Sequence, residues 1–152
     1  GKSCIFPIDI HSVLVYYIIN TLQHHDYGGE KVDFNDNLPI YIQIMNLLKS
    51  QIAAGEISGG DKLPSVREFS KELKVNPNTI QRAYQELERE ELVFTQRGMG
   101  TFVTEDVEMI KRLRKDMATS IVKNFIEEMN KLGFKPKEII EIISERIGEE
   151  IE

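Results

Sequence analysis

The sequence predicts a mostly α-helical protein with one small β-wing, and three observations carry that expectation. Apolar residues recur at helical spacing in five successive stretches after residue 38. Two of those stretches begin on strong helix-start signals, Ser65 and Asn76-Pro77. Only 92–103 combines β-prone runs with a glycine-bearing turn, Arg97-Gly98-Met99-Gly100. Three regions follow: an N-terminal extension (1–31), a compact head (32–104) and a two-helix C-terminal arm (105–152).

Composition narrows what such a chain can do. With 152 residues, 41% of them hydrophobic and 29% charged, one core or one core plus a small appendage fits, and an enzyme-sized second domain does not. No nucleophile, base and orienting group come together in the sequence, so an enzyme is not expected. The single cysteine, Cys4, forms no internal disulfide, and no Cys/His cluster has metal-ligand spacing. No metal or cofactor is therefore expected, and a reducing cytoplasm is the expected location. The longest purely apolar run, 13–19, has 7 residues, against roughly 20 for a membrane helix. Net charge is −6, and each region is mildly acidic: 2 basic and 3 acidic groups in 1–32, 8 and 10 in 33–103, 9 and 12 in 104–152. Any surface for a polyanion must then be a local patch.

The first 31 residues differ in texture from the rest. His11, His24, His25 and Cys4 all lie here, and Asp26-Tyr27-Gly28-Gly29 reads as a closing loop. One reading is an extra helix or strand built from Ile8, Ile10, Val13, Leu14, Tyr17 and Ile18. The other is leader or added sequence, with the native protein beginning near Val32. His24-His25 is a poor metal pair, because adjacent residues of a regular element face different ways.

The head begins at Leu38-Pro39. Ile40, Ile44, Leu47, Leu48 and Ile52 make a helix ended by Gly55, with Gln43, Asn46, Lys49 and Ser50 expected outside. A turn-rich connection, 56–62, follows. Ser65 and Glu68 form an S-x-x-E capping box, and Val66, Phe69 and Leu73 mark the buried face of a second helix. Arg67 and Lys71 project from other faces. After a tight turn, Asn76 serves as N-cap and Pro77 as first helical residue of a third helix. Ile80, Ala83, Tyr84 and Leu87 are its buried stripe. The opposite face then holds Asn78, Gln81, Arg82 and Gln85, with Thr79 beside them: hydrogen-bonding side chains of the kind that read base edges.

Charge placement points the same way. No acidic residue occurs between Leu73 and Gln85, whereas Lys74 and Arg82 lie inside that interval; acid returns at Glu86, Glu88, Glu90 and Glu91. Reading helices contact bases mainly through their first turns, and here those turns are acid-free. Two tandem helices followed by a hairpin outline a winged helix-turn-helix, and the expected partner is double-stranded DNA. Glycines at 98 and 100 let the wing tip adopt positive φ and come close to the duplex, with Arg97 beside them. The competing reading is a winged-helix protein-interaction module that does not bind DNA, supported by the overall acidity. Beyond Thr104, Ile110, Leu113, Met117, Ile121, Phe125, Met129 and Leu132 keep near-helical spacing up to Gly133. Pro136 then opens a last helix with Ile139, Ile140, Ile143, Ile147 and Ile151. So much Ile, Leu and Met needs cover, from a second chain or from the head.

The stretch 39–103 resembles the winged-helix domain of GntR-type transcriptional regulators, through LPS-x-R-E, N-T-I-x-R-A-Y-x-x-L and R-G-x-G-T-F-V as they stand here. Its short helical C-terminal region is similar to the YtrA-like subfamily, small dimeric repressors often associated with transporter operons. The resemblance implies a homodimer joined through the C-terminal helices and bound to a pseudo-palindromic operator. It also implies operator contacts at Ser65 and Arg67, at Asn78, Thr79, Gln81 and Arg82, and at Arg97, Gly98 and Gly100. Met99 departs from the pattern, standing where a basic wing residue is common. The lack of histidine after position 25 sets the chain apart from the metal-binding branch, and its length from the aminotransferase-fused branch. The small arm is compatible with a small-molecule effector at the dimer interface, or with none.

Overall fold

The computed structural model describes residues 37–151. The readings made for the extension 1–31 lie outside the described residues. Five helices and one two-stranded antiparallel sheet follow in the order α1 (Ile40–Ala54), α2 (Val66–Leu73), α3 (Pro77–Arg89), β1 (Val93–Gln96), β2 (Gly100–Val103), α4 (Val107–Lys131) and α5 (Pro136–Ile151). None of the described helices is long and apolar enough to cross a membrane.

Local chemistry sets the boundaries of the head's helices. Pro39 has an extended backbone, and its carbonyl accepts from the amides of Ile42 and Gln43; Gly55, in the left-handed conformation, ends α1. The expected capping box on α2 is complete: Ser65 Oγ accepts from the Glu68 amide, and the Glu68 carboxylate accepts from the Ser65 amide, both at 3.1 Å. Asn76 Oδ1 accepts from the Asn78 amide at 2.9 Å, with Pro77 as first helical residue. Lys74 and Glu91, which end α2 and follow α3, take left-handed backbone angles of φ 55° and 61°. Each sits at a position that glycine would fill with less strain.

The core lies where α1, α2 and β1 pack on α3. Ile44, Leu48, Ile52, Leu63, Phe69, Ile80, Leu87 and Val103 are essentially inaccessible to solvent. Each such side chain contributes on the order of 2 kcal/mol by leaving water. The Phe69 and Tyr84 rings stack at 6.3 Å between centroids. The buried face of α1 is broader than one stripe and includes Met45, Gln51 and Ala53. Ser50, expected outside, is buried, because that broad face turns it inward; its hydroxyl has no hydrogen-bond partner among the described residues. Lys49 pairs with Glu90 instead of standing free.

The connection 56–62 is more ordered than its glycines suggested. Gly60 N–H donates to the Val103 carbonyl, Val103 N–H to the Asp61 carbonyl and Leu63 N–H to the Thr101 carbonyl, at 2.8–2.9 Å. Lys62 forms an isolated antiparallel bridge with Phe102. The hairpin therefore has a short third strand along its β2 edge, which satisfies backbone groups an edge would leave open. Within the hairpin Val93 pairs with Val103, Phe94 with Phe102, Thr95 with Thr101 and Gln96 with Gly100, so Gly100 belongs to β2 and the turn is 97–99.

Asp106 caps α4, its carboxylate accepting from the amides of Glu108 and Met109. The first turns of α4 complete the head's core through Met109, Ile110 and Leu113. Residues 114–152 form a separate compact unit. In that unit Ile139 is the buried hydrophobic side chain among the described residues, while Ile121, Val122, Leu132, Ile140, Ile147 and Ile151 are all more than half exposed.

Candidate DNA interface

The third helix presents its two faces as the periodicity required. Ile80, Ala83, Tyr84 and Leu87 are buried, whereas Asn78, Gln81, Arg82 and Gln85 are exposed. These four are spaced i, i+3, i+4 and i+7, one stripe along the helix. Thr79 is half-buried at its edge.

Intramolecular partners occupy most of the acid at the far end of α3. Glu86 pairs with Arg89 at 2.9 Å, Glu90 with Lys49, and the Glu88 carboxylate accepts from the Thr95 amide at 2.7 Å. The last of these ties β1 of the wing to α3. By contrast, no carboxylate forms a salt bridge with Lys62, Arg67 or Arg97 among the described residues. The acid-free stripe and these cations therefore stay attractive to phosphate although the chain is negative overall.

Ser65 and Arg67 are exposed at the start of α2. The Ser65 oxygen is engaged as a cap acceptor, which leaves its O–H as a donor. Their position relative to α3 is fixed by Tyr84, whose hydroxyl donates to the Pro64 carbonyl at 2.7 Å. Burial pushes the Tyr84 phenol well above its ordinary range, and the nearby Glu68 and Glu72 charges add to the shift. It thus stays protonated, as a donor must.

Arg82 is placed in a way the sequence did not reveal. Its guanidinium carbon lies 3.9 Å from the centre of the Tyr41 ring, on the first turn of α1. A cation on an aromatic face at this distance contributes about 0.5–1 kcal/mol at an exposed site and limits the rotamers of a flexible side chain. In the wing, Arg97 and Gly98 are exposed at the turn, and Gly98 has φ 77° with open space beside it. Gly100 has φ 125°, and a methyl group placed on it would lie 2.6 Å from Lys62 Cε. The two wing glycines thus differ in their surroundings: Gly98 stands in open space at the tip, and Gly100 lies under the end of the Lys62 side chain.

Three contributors escaped sequence reasoning. Tyr41 could have been flagged as the one aromatic in an otherwise aliphatic α1 stripe. Glu88 and Lys62 gave no signal, since their roles depend on chain segments brought together only by folding. Among the described residues no group of His, Cys, Asp or Glu could hold a metal ion.

Known proteins resemble this chain in sequence and in fold. The profile described as "Bacterial regulatory proteins, gntR family" matches residues 40–103. The regulator YhcF of Bacillus subtilis, an HTH-type transcriptional regulator, is 42% identical over 108 residues, which is 71% of this chain and 89% of that protein. The HTH-type transcriptional repressor YtrA of Bacillus subtilis is 35% identical over 116 residues, 76% of this chain and 89% of that protein. Among solved structures, a GntR family transcriptional regulator from Listeria monocytogenes superposes with a TM-score of 0.68 at 46% identity, over 74% of this chain and 98% of that one. A transcriptional regulator from Oenococcus oeni gives 0.63 at 30% identity, over 83% and 99%.

Proposed function

Since the chain belongs to the GntR family, in its YtrA-like branch, and is a DNA-binding transcriptional regulator, we propose that it is a cytoplasmic repressor acting as a homodimer on a pseudo-palindromic operator. The observation that carries the DNA contact is the exposed, acid-free stripe Asn78, Gln81, Arg82 and Gln85 on the first turns of α3. In this reading the stripe enters the major groove, with Asn78, Gln81 and Arg82 at base edges and Thr79 at their margin. Ser65 and Arg67 meet phosphates from the start of α2, and Arg97, Gly98 and Gly100 bring the wing to the backbone.

Dimerisation through residues 114–152 is favoured by the apolar side chains that this unit leaves uncovered. Two copies would then present paired α3 helices to half-sites about one helical turn of DNA apart. No effector is assigned, because no described residue cluster selects a ligand chemistry.

The test is titration of a labelled duplex from the promoter of the chain's own gene, with sedimentation of protein and complex. A sequence-dependent complex of two chains per duplex is expected. Equal affinity for the promoter and a scrambled duplex would remove the operator reading, and a one-to-one complex would remove the dimer.

A further inference from the structure

We infer that Lys62 is a wing residue that contacts the DNA backbone, delivered to the wing from the connection before α2 and not from the hairpin itself. The inference rests on the DNA-binding reading above and adds a residue to it.

Sheet geometry brings the lysine there. Lys62 pairs with Phe102 across the third-strand bridge, and paired residues project to the same face of a sheet. Gly100 lies two residues before Phe102 on β2, and residues two apart share a face. The face holding Lys62 therefore also holds Gly100, Phe102 and their β1 partners Gln96 and Phe94. Phe94 and Phe102 stack on it at 5.8 Å.

The Lys62 stem runs along this face towards the tip. Its Cε and Nζ lie 2.6 and 3.4 Å from where a β-carbon on Gly100 would stand. A β-carbon at residue 100 would push the end of the lysine side chain off this path. The end of the stem thus lies over the Gly100 backbone, at the residue that follows the 97–99 turn.

The chemistry suits phosphate. Lys62 is exposed and forms no salt bridge among the described residues. Asp61, next to it, turns its carboxylate to the Ser58 amide at 2.8 Å. Met99 at the tip is exposed and uncharged. The positive charge near the tip thus comes from Arg97 and Lys62, one from each side of the β2 edge. A lysine laid along a rigid sheet also loses less rotamer freedom on binding than one free in solution.

The test uses full-length Lys62→Met and Lys62→Gln, with Lys62→Arg as rescue and Arg67→Ala as control, on the same promoter duplex across a salt series. Methionine keeps the apolar stem over Gly100 and removes only the charge; melting curves report whether each variant is folded. The expected result is several-fold weaker binding at low salt for Met and Gln. The slope of log K against log salt should be shallower by about 0.9 per half-site, with Arg restoring it. If both neutral variants keep the wild-type slope while Arg67→Ala flattens it, Lys62 is packing alone and the inference is overturned with the DNA reading intact. If wild type itself shows no affinity for duplex DNA, both fall together.

Discussion

The Tyr84 hydroxyl donates to the Pro64 carbonyl at 2.7 Å, joining the buried side of α3 to the residue before the cap of α2, twenty positions earlier in the chain. This bond sets where Ser65 and Arg67 stand relative to the exposed stripe of α3. It is made by a buried phenol that must remain neutral.

Tyr84→Phe should lower stability by about 1–2 kcal/mol, since a half-buried carbonyl loses its donor. The pH dependence has a definite sign. The folded-state pKa is raised, so above about pH 10 the unfolded chain gives up a proton that the folded chain keeps. The stabilisation is complete below that pH and declines as pH rises above it. Urea midpoints measured at neutral and strongly alkaline pH check this: the wild type should lose stability through the alkaline limb more steeply than Tyr84→Phe.

Arg67→Ala should weaken binding to specific and scrambled duplexes alike and flatten the salt dependence by about one unit of slope per half-site. Fluorescence anisotropy across a salt series measures both. Unchanged slope and affinity would remove Arg67 from the backbone contacts.

Arg82→Ala should lower the preference for operator over scrambled DNA by about 1–3 kcal/mol. Tyr41→Leu, which removes the ring beneath the guanidinium and nothing from the α3 stripe, should lose part of the same preference. In a double-mutant cycle the two effects should be less than additive. Strict additivity would show that the stack does not position Arg82 for reading.

Glu91→Gly should stabilise the head by about 1 kcal/mol, because Glu91 holds φ 61° at the end of α3, where glycine is unstrained. Thermal melting reads the gain directly. No loss of DNA binding is expected, as Glu91 lies beyond the acid-free turns.

Phe125→Asp should shift sedimentation from dimer to monomer and weaken operator binding by more than tenfold, since half-sites would be engaged singly. Circular dichroism should show the helices retained. A dimer that survives the change would move the dimer contact away from this face of α4.

Much of the fold was legible because it is encoded locally. Ser65 with Glu68, Asn76 with Pro77, and the periodicities of α2 and α3 each act within one or two turns, and the structure places those helices accordingly. The exposed stripe of α3 was readable for the same reason, being the complement of the buried one. What escaped notice is non-local. A stripe argument puts Ser50 outside because it assumes one packing partner, whereas α1 is covered over a wider arc. The Arg82–Tyr41 stack, the Glu88–Thr95 tie and the Lys62–Gly100 contact join residues whose proximity depends on how α1, the 56–62 connection and the wing meet. Spacing along the chain carries no record of such meetings.

The third strand also bears on how far the chain tolerates added length. A connection rich in glycine invites insertion, yet at Gly59 a β-carbon would meet the Thr104 carbonyl oxygen at 2.8 Å, and residues 60–63 keep fixed register with β2. One extra residue there would turn Lys62 and Leu63 to opposite faces, exposing the buried leucine. The Gly133 turn between α4 and α5, with nothing within 4 Å of an added β-carbon, is closed by local bonds alone, from Gly133 N–H to the Asn130 carbonyl and from Phe134 N–H to the Met129 carbonyl. The run that looks loosest on paper is one of the least elastic parts of the head.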